Sequence, residues 1–167
     1  MMPKPDFETL VERHSRELFA YLWRLLGDEA DARDCLQESF LRAFRAYERL
    51  QTTDHLRAWL YKIATNTARS QQARQYRASL RTVALAEPLA SGEKGVELQV
   101  AERSQLAAVR RAIMVLPERQ RAALLLRKYQ ELEYDEIAAT LGCSQSAARA
   151  NVYQALKKLR AMFNEED

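Results

Sequence analysis

The chain has 167 residues, 47% of them apolar and 29% charged, with a net charge of +3 and only four glycines and four prolines. That length makes one ordinary domain or two small ones. The longest apolar runs, such as Ala122–Leu126, fall far short of the roughly 20 residues a membrane-spanning helix needs, so no membrane insertion is expected. The opening residues Met1–Asp6 lack the apolar stretch of a signal peptide, and the expected location is the cytoplasm. Helix formers dominate and period-two alternation is rare, which predicts an all-α protein. Cys35 and Cys143 lie far apart, with no second Cys or His at ligand spacing. They read as buried, inert thiols, and no metal or other cofactor is expected.

In chain order, a first helix follows Asp6, with Phe7, Leu10, Val11, Leu18, Leu22 and Leu25 at three- and four-residue steps and Gly27 as its stop. Asp28, Glu29 and Asp31 suit the positive end of a second helix. Its apolar stripe is Leu36, Phe40, Ala43, Phe44 and Tyr47, and it ends near Leu50. Gln51–Asp54 is a polar connection in which Thr53 or Asp54 can cap a third helix. Leu56, Trp59, Leu60, Ile63, Ala64 and Thr67 give that helix one buried face, opposite a basic one. Trp59 is expected in the core, whereas Tyr61 faces elsewhere as a surface aromatic. His14 and His55 stand apart from Cys and from each other.

The periodicity then fails between Leu85 and Gly95, where one Pro and two Gly fall close together. So long a break inside a compact domain is unusual, and a linker between two domains explains it better. Helical spacing resumes at Leu106, Val109, Ile113 and Leu116. Pro117 halts one helix and starts the next, and Leu124, Leu125 and Tyr129 continue the core.

Tyr134–Leu141, a turn at Gly142-Cys143-Ser144 and a last helix from Gln145 to about Phe163 have helix-turn-helix spacing. Ala138 is small where two helices cross. Gly142 suits a turn with positive φ, and Ser144 can cap the second helix. Ile137, Leu141, Ala148 and Val152 point inward. The second helix would lie in the major groove of DNA, presenting Gln145, Arg149, Ala150, Tyr153 and Gln154 to base edges. Arg149 can pair with guanine and Gln154 with adenine, while Lys157 and Lys158 suit phosphates.

Charge placement agrees with nucleic acid. Arg57 to Arg81 carries six basic residues and no acid, and Gly142 to Phe163 carries four and no acid. Between them, Thr82–Ser104 has four Glu against Lys94 and Arg103. One-signed patches are the electrostatic footprint of phosphate contacts.

Three segments carry a family resemblance. Leu116-Pro117-Glu118-Arg119-Gln120-Arg121 with Tyr134–Gly142 resembles region 4 of the extracytoplasmic-function (ECF) sigma factors, within the sigma-70 family of RNA polymerase subunits. Asp34-Cys35-Leu36-Gln37-Glu38-Ser39-Phe40-Leu41-Arg42-Ala43-Phe44 resembles their region 2.2, and Ala58–Asn66 resembles regions 2.3 and 2.4. The resemblance implies two helical domains: residues 1–78 as region 2, 79–103 as linker and 104–167 as region 4. It implies that Asp34, Gln37, Glu38, Leu41 and Arg42 meet the β′ clamp helices of core RNA polymerase, and that region 4 touches the β flap. The loop Leu50–Leu56 matches the loop that captures a flipped −10 base, and Asn66 a position beside that base, where its amide offers both donor and acceptor. Thr52, Thr53, Tyr61, Lys62, Arg69 and Arg74 complete the −10 set. Gln145, Arg149, Ala150, Tyr153, Gln154, Lys157 and Lys158 form the −35 set.

An anti-sigma factor is the further partner implied by the family. The expected function is promoter recognition and melting as a dissociable polymerase subunit, with no enzymatic activity. Many relatives have Gly-Thr-Val at Ser146-Ala147-Ala148, Arg at Gln154 and an acid at Ser70. The alternative is a helix-turn-helix regulator that works without polymerase.

Overall fold

The computed structural model describes residues 3–82 and 101–164, with side chains from residue 104 in the second segment. Seven helices are described: α1 Phe7–Leu26, α2 Glu29–Tyr47, α3 Leu56–Thr82, α4 Ala101–Val115, α5 Glu118–Lys128, α6 Tyr134–Leu141 and α7 Gln145–Asn164. There is no strand among the described residues, and the all-α expectation holds. Helix continues to Thr82 and resumes at Ala101, so both ends of the expected 79–103 linker are helical. Residues 83–100, the rest of it, lie outside the described residues.

The helix ends follow from local chemistry. Asp6 accepts from the Thr9 N–H at 2.7 Å and Asp28 from the Asp31 N–H at 2.9 Å, each satisfying an orphan donor of a first turn. Gly27 closes α1 at φ 77°, its N–H bonded to the Trp23 carbonyl. Pro117 separates α4 from α5. The third helix starts differently from expectation. Neither Thr53 nor Asp54 makes a capping bond among the described residues. His55 precedes the helix at φ 61°, and its carbonyl accepts from the Trp59 N–H.

The first three helices pack together around Tyr21, Leu22, Leu60, Tyr61 and Ala64, all buried. The Tyr21 and Tyr61 rings meet edge to face at 5.3 Å, and the Tyr21 hydroxyl pairs with Thr65 Oγ1 at 2.8 Å. The second helix turns an unexpected face inward. Its buried positions are Ala32, Cys35, Ser39, Ala43 and Tyr47. Of the expected stripe, Leu36 and Phe40 are half-buried and Phe44 is 57% exposed. Small residues let α2 approach α3 closely, to the point that the Cys35 thiol reaches the Ala64 carbonyl. The bulky residues are thereby rotated toward the surface.

The third helix is buried on more than one face. Ala58, Tyr61, Thr65 and Ala68 are enclosed as well as Leu60, Ala64 and Thr67. Tyr61, expected at the surface, is fully buried. The reason is tertiary: α3 packs against α6 as well as α1 and α2.

The remaining helices enclose Ile113, Leu116, Leu124, Leu125, Leu126, Leu132, Ile137 and Val152. Leu106 and Tyr129, expected in this core, are 60% and 45% exposed. Arg24 lies 4.3 Å over the Tyr129 ring instead. The buried residues of both halves join in one continuous cluster.

Candidate nucleic-acid interface

The α6–turn–α7 unit has the expected geometry. Gly142 stands at φ 66°, and a Cβ there would meet nothing within 4 Å, so backbone conformation alone calls for glycine. Ser144 Oγ accepts the Ala147 N–H at 3.1 Å. Ile137, Leu141, Ala148 and Val152 are all buried. Glu136 reaches back to the Glu133 N–H at 2.9 Å, half of a capping box at the start of α6.

Anchored by that inner face, α7 turns Gln145, Arg149, Ala150, Tyr153, Gln154 and Lys157 to solvent, with Lys158 half-buried. Tyr153 is 60% exposed. The Arg149 guanidinium lies 5.1 Å from the Tyr134 ring centroid, and Arg127 lies 4.5 Å from it. Tyr134 thus props the arginine at the outer edge of the helix.

The second cluster surrounds the start of α3. Leu50, Thr52, Asp54, His55, Ala58, Trp59, Lys62 and Ala139 line a cavity of about 190 Å³. Thr52 and Lys62, both expected at the −10 site, meet there. Thr53 is half-buried outside the lining, and Asn66 is exposed one turn beyond Lys62. Arg74 is exposed two turns farther on. Arg69 is directed elsewhere: its Nε pairs with Glu118 of α5 at 2.9 Å. Trp59 is half-buried against Tyr47, with ring centroids 6.1 Å apart, yet still lines the cavity.

The third cluster lies on α2. Asp34 and Gln37 are exposed, Leu41 is 51% exposed, and Glu38 pairs with Arg42 at 3.0 Å. Phe7, Gln37, Phe40, Leu41 and Phe44 line a groove of about 410 Å³. The large side chains that α2 does not bury therefore surround the expected polymerase contacts.

Several functional neighbours escaped sequence reasoning. His14, read only as apart from Cys and from His55, pairs with Glu17 at 2.9 Å, a contact whose three-residue helical spacing was visible. Burial pushes the Glu17 carboxyl up, but hydrogen bonds from His14 and Arg57 outweigh it and leave the carboxyl below its ordinary range. Burial pushes the Tyr61 hydroxyl up to about 12 and the Cys35 thiol to about 11. Cys143 is half-exposed rather than buried. No group of three metal-ligating side chains occurs among the described residues, and no described helix is long and apolar enough to cross a membrane.

Two family models match these same segments. Sigma-70 region 2 matches residues 10–78 and Sigma-70 region 4 matches residues 106–159. The ECF RNA polymerase sigma-E factor of Salmonella typhimurium strain LT2 is 32% identical over 157 residues, covering 89% of this chain and 82% of the relative.

The chain belongs to the ECF sigma factors of the sigma-70 family.

The sigma factor is also 29% identical to the RNA polymerase sigma-H factor of Pseudomonas aeruginosa, over 91% of this chain and 83% of that one. It is similar in fold to the sigma factor RpoE solved with the anti-sigma factor NepR from Bartonella quintana. The TM-score is 0.76 at 22% identity, over 95% of this chain and 97% of the other. CnrH, solved with the cytosolic domain of CnrY, gives a TM-score of 0.70 at 25% identity, over 96% of this chain and 89% of that one. The protein is thus an RNA polymerase-binding sigma factor that serves transcription initiation. A polymerase-independent regulator is not favoured, because the region 2 match takes in most of α1, all of α2 and most of α3. The sigma-70 family is not an enzyme class.

Proposed function

We propose that this sigma factor grips its promoter at two points, with residues 1–78 serving core binding and the −10 element and residues 104–167 serving the −35 element. The observation that carries this reading is the outer face of α7, where Gln145, Arg149, Tyr153, Gln154 and Lys157 are exposed together with no acid between Gly142 and Phe163. In the major groove, Arg149 and Gln154 would read base edges, and Lys157 and Lys158 would meet phosphates. The cavity beside Thr52 and Lys62 suits a flipped −10 base, with Asn66 one turn farther along α3.

Asp34, Gln37, Glu38, Leu41 and Arg42 would meet the β′ clamp helices, where exposed Leu41 and Phe44 supply apolar anchors inside a charged rim. Region 4 would touch the β flap. RNA synthesis itself is the core enzyme's chemistry, so this subunit works without catalysing, in the cytoplasm where polymerase works. An anti-sigma factor is the expected inhibitory partner, as RpoE of Bartonella quintana has NepR.

Transcription with purified core polymerase on a mapped promoter tests the whole reading. Asn66→Ala should spare core binding and impair −10 opening. Permanganate footprints of a normal bubble would show that Asn66 is only structural.

A further inference from the structure

A cavity selects a base only if its polar groups are held to within about 0.5 Å. Leu50, Thr52, Asp54 and His55, which line the cavity beside Lys62, stand on the connection between α2 and α3. The far end of that connection is tied down, because the His55 carbonyl accepts the Trp59 N–H at 3.0 Å. The near end springs from the last turn of α2, where carbonyls lack the regular helical partner. There the Arg49 N–H returns to the Ala46 carbonyl at 3.2 Å and the Leu50 N–H to the Tyr47 carbonyl at 3.1 Å.

Lys4 braces this near end from outside the helix. Its ammonium donates to the Tyr47 carbonyl and, at 3.3 Å, to the Leu50 carbonyl. It also lies 4.1 Å from the centroid of the Tyr47 ring. A cation there opposes the negative end of the α2 dipole and gains from the π face beneath it. The Tyr47 hydroxyl closes the clasp by donating to the Pro5 carbonyl. Phe7, three residues on from Lys4, lies 5.3 Å from Phe44 and 5.4 Å from Tyr47, so the segment that carries Lys4 is itself seated on α2. Tyr47 is buried and packs on Trp59, with centroids 6.1 Å apart. Leu50 and Trp59 are both walls of the cavity. An exposed amine 46 residues away from Leu50 in the chain thus fixes the turn from which the cavity loop starts.

We propose that Lys4 is a positioning residue for the −10 cavity, acting through the Tyr47–Leu50 turn on the Leu50 and Trp59 walls and not by touching DNA. The inference rests on the reading of that cavity as the site of the flipped −10 base.

Lys4→Met keeps an apolar stem over Tyr47 but removes the donors and the charge, whereas Lys4→Arg keeps both. Each full-length chain is combined with core polymerase, and promoter opening is followed by the fluorescence of 2-aminopurine in the −10 element. The readout is the ratio of opening rates between the preferred base at the flipped position and each other base. A smaller folded fraction cancels from that ratio. Lys4→Met should lower the preference by up to about tenfold, the equivalent of one hydrogen bond to a charged group, and Lys4→Arg should restore most of it. Core affinity and the salt dependence of promoter binding should stay at the parent's values. A direct phosphate contact would instead lower the salt slope by about one and weaken all four promoters alike, and that result overturns the positioning role. Unchanged base preference in Lys4→Met, or a loss of core affinity that accounts for the slower opening, overturns it as well. Thr52→Ala and Lys62→Ala holoenzymes test the cavity itself. If both keep the parent's base preference, the −10 reading of the cavity fails and the proposal with it. If both lose it while Lys4→Met keeps it, the role of Lys4 fails alone.

Discussion

Arg121 shows how much one side chain can hold. It is 9% exposed and donates to the carbonyls of Leu25 at 3.1 Å, Ile113 at 3.2 Å, Met114 at 2.7 Å and Leu116 at 3.0 Å. Leu25, Ile113 and Met114 lie in the last turns of α1 and α4, where carbonyls lack the regular α-helical N–H partner, and Leu116 lies in the connection to α5. A cation at two helix C-termini also opposes their partial negative charge. Arg121→Met should therefore cost about 2–3 kcal/mol, the scale of hydrogen bonds to charged groups, and urea unfolding would measure it. In the motif Leu116–Arg121 this residue was legible only as part of a family pattern. Arg149→Ala, by contrast, should leave stability unchanged and lose about 1–3 kcal/mol of −35 binding, with relaxed preference. Equal affinity of wild type and variant for a preferred −35 duplex would remove Arg149 from the groove. Of the thiols, Cys35 is buried with its pKa near 11, whereas Cys143 is half-exposed. Ellman's reagent at pH 8 should find one fast thiol in the native chain and two after denaturation.

At the scale of elements, two glycines test backbone against space. Both have positive φ, but a Cβ at Gly142 meets open space, while one at Gly27 would lie 3.0 Å from Met114 Sδ. Gly142→Ala should cost about 1 kcal/mol, the left-handed penalty alone, which lowers Tm by about 2–4 °C at this size. Gly27→Ala should cost more, because Met114 must also move, and paired thermal melts decide the order. The α6–turn–α7 unit was readable residue by residue, since its signals are local: a small residue at the crossing, a left-handed turn and a cap. The inner face of α2 was not. Periodicity ranks positions by size and polarity, and it chose Leu36, Phe40 and Phe44 where close packing instead buries Ala32, Cys35 and Ser39. The exposed bulk on α2 is itself informative, because large apolar side chains left at a surface mark a place for a partner.

At the scale of the molecule, the stability of the fold should depend on pH. Glu17 takes bonds from His14 and Arg57, with the Tyr61 hydroxyl nearby, and Glu136 also faces Arg57. Burial raises the Glu17 carboxyl, and those bonds lower it further than burial raises it. Its native value lies below the ordinary 4.5, so its contribution is complete above that pH and is lost as pH falls through the native value. The free energy of urea unfolding should fall with acid over that window, and Glu17→Gln should remove this component. A profile identical in both chains would show that other carboxylates set the acid limit.

The sequence by itself determined the helical class, the helix-turn-helix and its outward face, and the segments that match sigma-70 regions 2 and 4. Each of these rests on composition, on helical period or on short motifs, all local along the chain. Only the tertiary structure decided that Tyr61 is buried, that Arg69 turns to Glu118 and that Gln130 joins the two halves. Those outcomes depend on what lies across an interface. Gln130 and Tyr61 are 69 residues apart in the chain, and no local pattern around either residue announces the other.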